Sequence, residues 1–132
     1  MSTKISNRFY QSLGKLFYAV AASDNMIRTE ELNQMKSMVR EHWLDVDHAQ
    51  DDFGTDAAFQ IEIIFDWLQE NETSIDKCFA EFKSFKKEHA SLFSPTINAL
   101  IFKTAHSIAE SFAGTNQQEL ALLNQLEIEL HQ

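Results

Sequence analysis

The sequence predicts an all-α fold, a compact bundle of about six or seven helices, and three observations lead to that prediction. Glycine occurs three times and proline once in 132 residues, whereas β-sandwiches and barrels use both freely in tight turns. Apolar residues recur at spacings of three and four along six segments, which is the helical period. Hydrophobic residues make up 44% of the chain, with 11 phenylalanines, so we expect a substantial core and one domain over residues 1–132.

Local signals mark where several of the six helices begin. Ser94 and Pro95 form a cap followed by proline at the first helical position. Thr29 is predicted as a cap, with Glu30 and Glu31 in the first turn, where the helix dipole favours acidic residues. The helices are predicted at about 5–23, 29–43, 57–70, 74–90, 95–112 and 116–130.

The apolar stripes predict which side chains are buried together. Phe17, Ile64, Phe82, Ile101 and Leu123 are expected in one core. Gly14 lies one turn before Phe17 and marks either a close helix crossing or a tolerated weak position.

The helix predicted at 57–70 is apolar on two sides, so we expect it to be central. Its second side carries Phe59, Ile63 and Trp67. In the fourth helix three lysines are predicted to face outward, Lys83, Lys86 and Lys87. In the sixth helix four leucines are predicted to face the core, Leu120, Leu123, Leu126 and Leu130.

The formal net charge of −9 restricts the partners of the chain. It disfavours nucleic acid and anionic membrane surfaces and suits basic proteins, divalent cations or solubility alone. Cys78 is the single cysteine, so no intrachain disulfide forms; we expect a buried, inert thiol and a cytoplasmic location. No apolar run is long enough to span a membrane.

No sequence motif indicates catalysis, and we expect the chain not to be an enzyme. A Gly-rich phosphate loop and a nucleophile elbow are both missing from the sequence. The acidic segment 45–56 is not an EF-hand, because Ala49 and Gln50 stand at its fifth and sixth positions. His106 and Glu110, four residues apart, are expected to form an ordinary helical side-chain pair.

Two predicted helix breaks, near 23–26 and 113–115, share a pattern. Each follows an alanine-rich helix end, and each is followed by a Glu–Leu pair. Asp24, Glu31, Glu110 and Glu119 lie around the two breaks and would form a metal site if the breaks packed together. The alternative is capping, in which Asp24 accepts hydrogen bonds from amides at the next helix start and Glu31 balances the dipole.

The first break resembles the signature of the TerB-like family of tellurite-resistance proteins. In that resemblance Asp24 takes the Asp, Asn25 the Gly, Ile27 the aliphatic residue and Glu31 the Glu of the signature. It covers residues 9–43, and in the region 96–130 only Glu119 matches. The resemblance implies a helical fold with internal pseudo-symmetry, a link to stress response and tellurite resistance, and a divalent-metal site, with calcium or magnesium as the cation.

Two functions are therefore expected from the sequence. The first is a non-enzymatic interaction module of the TerB-like type, which offers an acidic or apolar groove to a protein partner. The alternative is a divalent-metal sensor or buffer centred on Asp24 and Glu31. A third hypothesis, a small-molecule binder in the Phe-rich core, has no polar anchor in the sequence. Neither the identity of the partner nor the oligomeric state is predicted.

Overall fold

A computed structural model describes residues 3–23, 26–44, 57–111 and 117–131, with side chains described from Asn7 onward except that of Ala57. Within these ranges the chain forms six α-helices and no β-strand, as predicted. The helices are α1 (Thr3–Ala21), α2 (Thr29–Met38), α3 (Gln60–Glu70), α4 (Ile75–Glu88), α5 (Pro95–Glu110) and α6 (Gln117–Leu130). The predicted loop 45–56 and the break at 113–115 lie outside the described residues.

Three short helical segments extend this framework. A π-helical turn (Val39–Trp43) continues α2, so the single helix predicted over 29–43 changes its pitch after Met38. A 3₁₀ turn (Ala57–Phe59) leads into α3, and another (Ala90–Leu92) connects α4 to α5. Trp43 at the end of the π-helical turn is fully buried, and its Nε1 donates to Thr104 Oγ1 on α5 at 3.0 Å. This hydrogen bond satisfies the indole N–H and ties the turn to α5.

Helix α1 is the centre of the bundle. It contacts α3, α4 and α5 extensively and also touches α2 and α6. Phe17, Leu13 and Leu16 on α1 are fully buried, as the apolar stripe predicts. The prediction that the helix at 57–70 is central is wrong, because α1 holds that position and, among the described helices, α3 packs mainly against α1.

The predicted core is confirmed. Phe17, Phe82, Ile101 and Leu123 belong to one buried cluster, and Ile64 packs against it while remaining partly accessible. Phenylalanine rings from α1 and α4 surround Phe93 in edge-on contacts; the ring centroids of Phe9 and Phe82 lie 5.5 and 6.0 Å from that of Phe93. Such pairs stabilise the core beyond the contribution of the apolar area that they bury.

Gly14 marks a close helix crossing, which confirms that interpretation of its position. A Cβ atom at residue 14 would overlap Ile64 Cγ2 and would approach the carbonyl oxygen of Ile61 to 2.8 Å. Helix α1 can therefore lie this close to α3 only where it has no side chain.

The caps are mostly as predicted. Ser94 Oγ accepts from the amide of Ile97 at 3.2 Å, with Pro95 at the first position of α5. Ser74 Oγ caps α4 in the same way, accepting from Lys77 N at 3.3 Å. The prediction for Thr29 is wrong by one residue, because Arg28 occupies the cap position of α2 and Thr29 is already helical. None of the described helices combines the length and apolarity that would let it cross a membrane.

Candidate functional site

Glu31 is one of three acidic residues that are buried among the described residues, with Glu62 and Glu119. It lies in the first turn of α2 and is 1% exposed. Its Oε1 accepts a hydrogen bond from the backbone amide of Arg28 at 2.9 Å, and the Arg28 guanidinium lies 3.7 Å away. The carboxylate therefore satisfies an amide that the helix itself leaves without a partner. From the sequence, Glu31 is expected only to balance the helix dipole and Asp24 to accept the hydrogen bonds, so this contact is an additional role of Glu31.

Glu119 holds the same helical position in α6 that Glu31 holds in α2. Each is the third residue of its helix, and Glu119 is 2% exposed. Burial of a carboxylate is costly unless hydrogen bonds or charges stabilise it, so both positions are structurally constrained. The sequence places Glu119 correctly at a helix start, although it predicts no burial, and the expected cap Asn116 lies outside the described residues.

Glu110 and Asp24 complete the set of candidate metal ligands. Glu110 is exposed at the end of α5, and its Oε1 lies 3.3 Å from Nε2 of His106, the helical pair expected from their spacing. Asp24 lies outside the described residues. Among the residues that the structure describes, no three His, Cys, Asp or Glu side chains come together in a way that would hold a metal ion. The described part of the acidic set therefore does not fit a metal centre on its own.

The single cysteine is confirmed as a buried thiol. Cys78 is fully enclosed on the inner face of α4. Burial, with a smaller contribution from Glu81, raises the pKa of the Cys78 thiol to about 11. A thiol with such a pKa is a poor nucleophile at neutral pH, because the thiolate is the reactive form.

The outer side of α3 exposes two large apolar side chains. Ile63 and Trp67 are each 54% exposed, and they lie four residues apart, so their side chains are neighbours on the helix. Phe59, one turn earlier, is only partly buried and continues the stripe. We call Phe59, Ile63 and Trp67 the α3 outer stripe.

Acidic side chains border the α3 outer stripe. Asp66 and Glu70 are exposed and share the helix face of Ile63 and Trp67, and α3 contains no basic residue. Glu62, almost buried, lies on the side towards Arg40, with 3.4 Å between its Oε1 and Arg40 Nη2. The outer surface of α3 is therefore both apolar and acidic.

Periodicity alone misses this surface because both faces of α3 are apolar. A stripe of period 3.6 predicts burial, and the inner stripe with Ile61 and Phe65 is indeed buried. The signal that separates the two is charge, since Asp66 and Glu70 lie beside the outer stripe. Leu120 on α6, predicted to face the core, is likewise 52% exposed, whereas Leu123, Leu126 and Leu130 are buried.

Comparison of the chain with protein-family models, with curated proteins and with solved structures gives no match. The resemblance of residues 9–43 to the TerB-like signature is therefore supported by the sequence motif alone. The helical fold class follows from the structure itself.

Proposed function

We propose that the protein is a non-enzymatic interaction module whose α3 outer stripe docks a basic, amphipathic segment of a partner protein. The observation that carries this proposal is the pair of exposed apolar side chains, Ile63 and Trp67, on a helix with no basic residue. The TerB-like link to stress response and tellurite resistance is part of the same proposal and places the partner in that context.

Exposed apolar residues are common on protein surfaces, so their arrangement matters more than their number. Ile63 and Trp67 lie one helical turn apart, so their exposed side chains are neighbours, and Phe59 at the start of the stripe is partly buried against the core. The comparable residues on α6, Leu120 and Ile128, are two turns apart, with the polar Asn124 between them. An apolar stripe that includes tryptophan is the kind of surface from which binding hot spots are built.

The charges around the stripe indicate the chemistry of the partner. Asp66 and Glu70 lie on the rim, and the whole chain has a net charge of −9, so a basic segment is attracted over a long range. The indole of Trp67 is also the best aromatic acceptor for a guanidinium or ammonium group. The partner segment therefore carries apolar side chains at helical spacing and flanking Arg or Lys residues.

Chemical cross-linking in a lysate of the native host, followed by mass spectrometry, tests the proposal. The chain is used in three forms: wild type, the double variant Ile63→Ser/Trp67→Ser, and the control Leu120→Ser/Ile128→Ser. The control removes two equally exposed apolar residues from α6. We expect wild type and control to capture the same partner through a basic, amphipathic peptide, and the α3 variant to lose it.

Three results would contradict the proposal. The first is that the α3 variant retains the partner, and the second is that the cross-linked peptide is acidic. The third is that a photo-reactive amino acid placed at position 67 cross-links to residues 45–56 of the same chain in place of a partner. The last result would mean that the chain covers its own stripe.

A divalent-metal sensor or buffer centred on Asp24 and Glu31 is the second candidate function, and it requires Glu31 and Glu119, both buried at the third position of their helices, to share a cation with Asp24. Capping accounts for Glu31 without a metal, which is why the interaction module ranks first. Thermal unfolding with calcium, with magnesium and with a chelator separates the two, because a cation that binds the folded state raises the melting temperature. A rise that disappears in Glu31→Gln supports the metal function, whereas equal melting temperatures exclude it.

A further inference from the structure

The second half of α4 and the end of α6 border an open groove of about 630 Å³, and three of its seven lining residues are lysines. Lys83, Lys86 and Lys87 lie on its α4 side, together with the hydroxyl-bearing Ser84, and Glu129 contributes from α6. Three ammonium groups against one carboxylate leave a local charge of about +2 in a chain whose net charge is −9. We call these residues the lysine groove.

The concentration of positive charge results from a separation of charges on α4. This helix carries Lys77, Lys83, Lys86 and Lys87, four of the 11 basic residues of the chain. Of its three carboxylates, Glu81 and Glu88 line a different depression on the side of α1, where Glu81 pairs with Lys15 at 3.2 Å. The third, Asp76, lies in the first turn, at the opposite end of the helix from the groove. The lysines of the groove are thus not neutralised by the acidic residues of their own helix.

Lys86 departs from the sequence prediction, which places it outward with Lys83 and Lys87. The residue is only 7% exposed, and its ammonium lies 5.9 Å from the centroid of the Phe93 ring. Lys83 is held in a similar way, with its ammonium 5.1 Å from the centroid of Phe79. Among the described residues, neither lysine forms an ion pair with a carboxylate.

Favourable placement of cations at a helix end explains only part of this arrangement. Lys86 and Lys87 lie in the last turn of α4, where the dipole favours them. Lys83 lies before the last turn, and the dipole does not require the side chain of Lys86 to be buried. The aromatic rings beside two of the ammonium groups restrict the conformations of these lysine side chains. A ligand therefore loses less binding free energy to ordering them.

We propose that the lysine groove binds a small phosphorylated molecule, with the phosphate group on Lys83, Lys86 and Lys87. A phosphate monoester carries about −1.5 to −2 charges at neutral pH, which matches the local charge of the groove. The groove is larger than one phosphate requires, so it has room for the organic part beside the lysines. A long polyanion such as nucleic acid is disfavoured, because it would extend into the acidic surface of the rest of the chain.

Titration with sodium phosphate, pyrophosphate and glycerol 3-phosphate, followed by ¹H–¹⁵N NMR, tests the proposal on the full chain. Sodium chloride at equal ionic strength is the reference for non-specific screening. We expect saturable shifts of the amides at 83–90 and near Glu129, strongest with pyrophosphate or glycerol 3-phosphate. The site does not depend on the α3 outer stripe, so the Ile63→Ser/Trp67→Ser variant should bind these anions as wild type does.

Two matched variants identify the groups responsible. Lys86→Met keeps an apolar stem beside Phe93 and removes the charge, and we expect it to weaken anion binding about tenfold, as the loss of one charge-assisted hydrogen bond would. Lys103→Met removes an exposed lysine from α5 and should leave the affinity unchanged. Lys83→Met provides a second test if the Lys86 variant unfolds, which its melting temperature will reveal.

The proposal is overturned if none of the three anions produces saturable shifts at 83–90 beyond those of sodium chloride. Equal affinities of wild type and a folded Lys86→Met or Lys83→Met variant also overturn it, as does an equal loss of affinity in Lys103→Met.

Discussion

Helices α3 and α4 both pack on α1, yet their remaining surfaces have opposite chemistry. Both inner faces are apolar, with Phe65 on α3 and Phe82 on α4 fully buried. The outer face of α3 is apolar and acidic, whereas the groove beside α4 is basic. Two helices that pack on the same helix thus carry outer surfaces of opposite charge, a difference that the net charge of −9 does not reveal.

The largest effect is expected from the inner faces, where the two helices should behave alike. Phe65→Ala and Phe82→Ala should each lower the free energy of unfolding by about 3 to 5 kcal/mol, because each removes a fully buried ring and leaves a cavity. Urea unfolding measures both, with the exposed Glu70→Ala as the control. A loss below about 1 kcal/mol for either ring would show that its helix does not contribute to the shared core.

The crossing of α1 and α3 provides the next test. Gly14→Ala should destabilise the fold by about 1 to 2 kcal/mol, because overlap with Ile64 and Ile61 exceeds the gain in helix propensity. The double variant Gly14→Ala/Ile64→Ala relieves the overlap with the side chain and leaves the contact with the Ile61 carbonyl. Its measured coupling energy separates the two contributions, and stabilisation by Gly14→Ala alone would contradict the close crossing.

The buried thiol of α4 predicts a pH dependence that α3 does not share. The pKa of Cys78 is raised from 9.0 to about 11, so the folded state holds this proton more tightly than the unfolded state does. The resulting stability is fully present below pH 9 and is lost as the pH rises towards 11, by up to about 2 kcal/mol. Between these pH values the free energy of unfolding, measured in urea, should fall less steeply for Cys78→Ala than for the wild type. Burial also raises the pKa of Tyr18, so the free energy of unfolding of Cys78→Ala should still fall somewhat with pH. The same pH dependence in wild type and Cys78→Ala would contradict the assignment to Cys78.

The smallest change in stability is expected on the outer faces. Ile63→Ser and Lys83→Met should each change the free energy of unfolding by no more than about 0.5 kcal/mol, because both side chains are exposed. Thermal and urea unfolding of both variants measure this. A large loss in either would mean that the surface contributes to the core and is not available for a partner.

Periodicity predicts the inner faces because the spacing of apolar residues within one helix indicates which of its faces is buried. The stripes containing Phe17, Phe82 and Ile101 recur at helical spacing, and all three residues are buried. Caps such as Ser94 depend on neighbouring residues in the chain, and they too are predicted correctly. Such patterns within one segment do not indicate which residues of another helix lie beside it.

The candidate sites depend on tertiary packing, which explains why the sequence predicts them poorly. None of the described helices covers the second face of α3, where Trp67 is exposed, and the buried Lys86 lies beside Phe93. The spacing of residues along one segment predicts neither of these tertiary arrangements. The burial of Glu31 and Glu119 is similar, since their helical positions are predictable and their enclosure by other helices is not.

The central claim is that the α3 outer stripe binds basic, amphipathic segments. Its most direct test is an NMR titration of the ¹⁵N-labelled protein with a synthetic helical peptide that carries Leu and Arg at helical spacing. A second peptide with Glu in place of Arg keeps the apolar pattern and reverses the charge. Trp43 is buried, so the indole signal of Trp67 serves as the probe of the surface.

With the basic peptide we expect saturable shifts of the Trp67 indole and of the amides from Ile63 to Glu70. The acidic peptide should cause none, because Asp66 and Glu70 repel it. The Ile63→Ser/Trp67→Ser variant should lose the response to the basic peptide, judged from the amide shifts. Equal binding of both peptides, or shifts centred on Leu120 and Ile128 of α6, would contradict the claim.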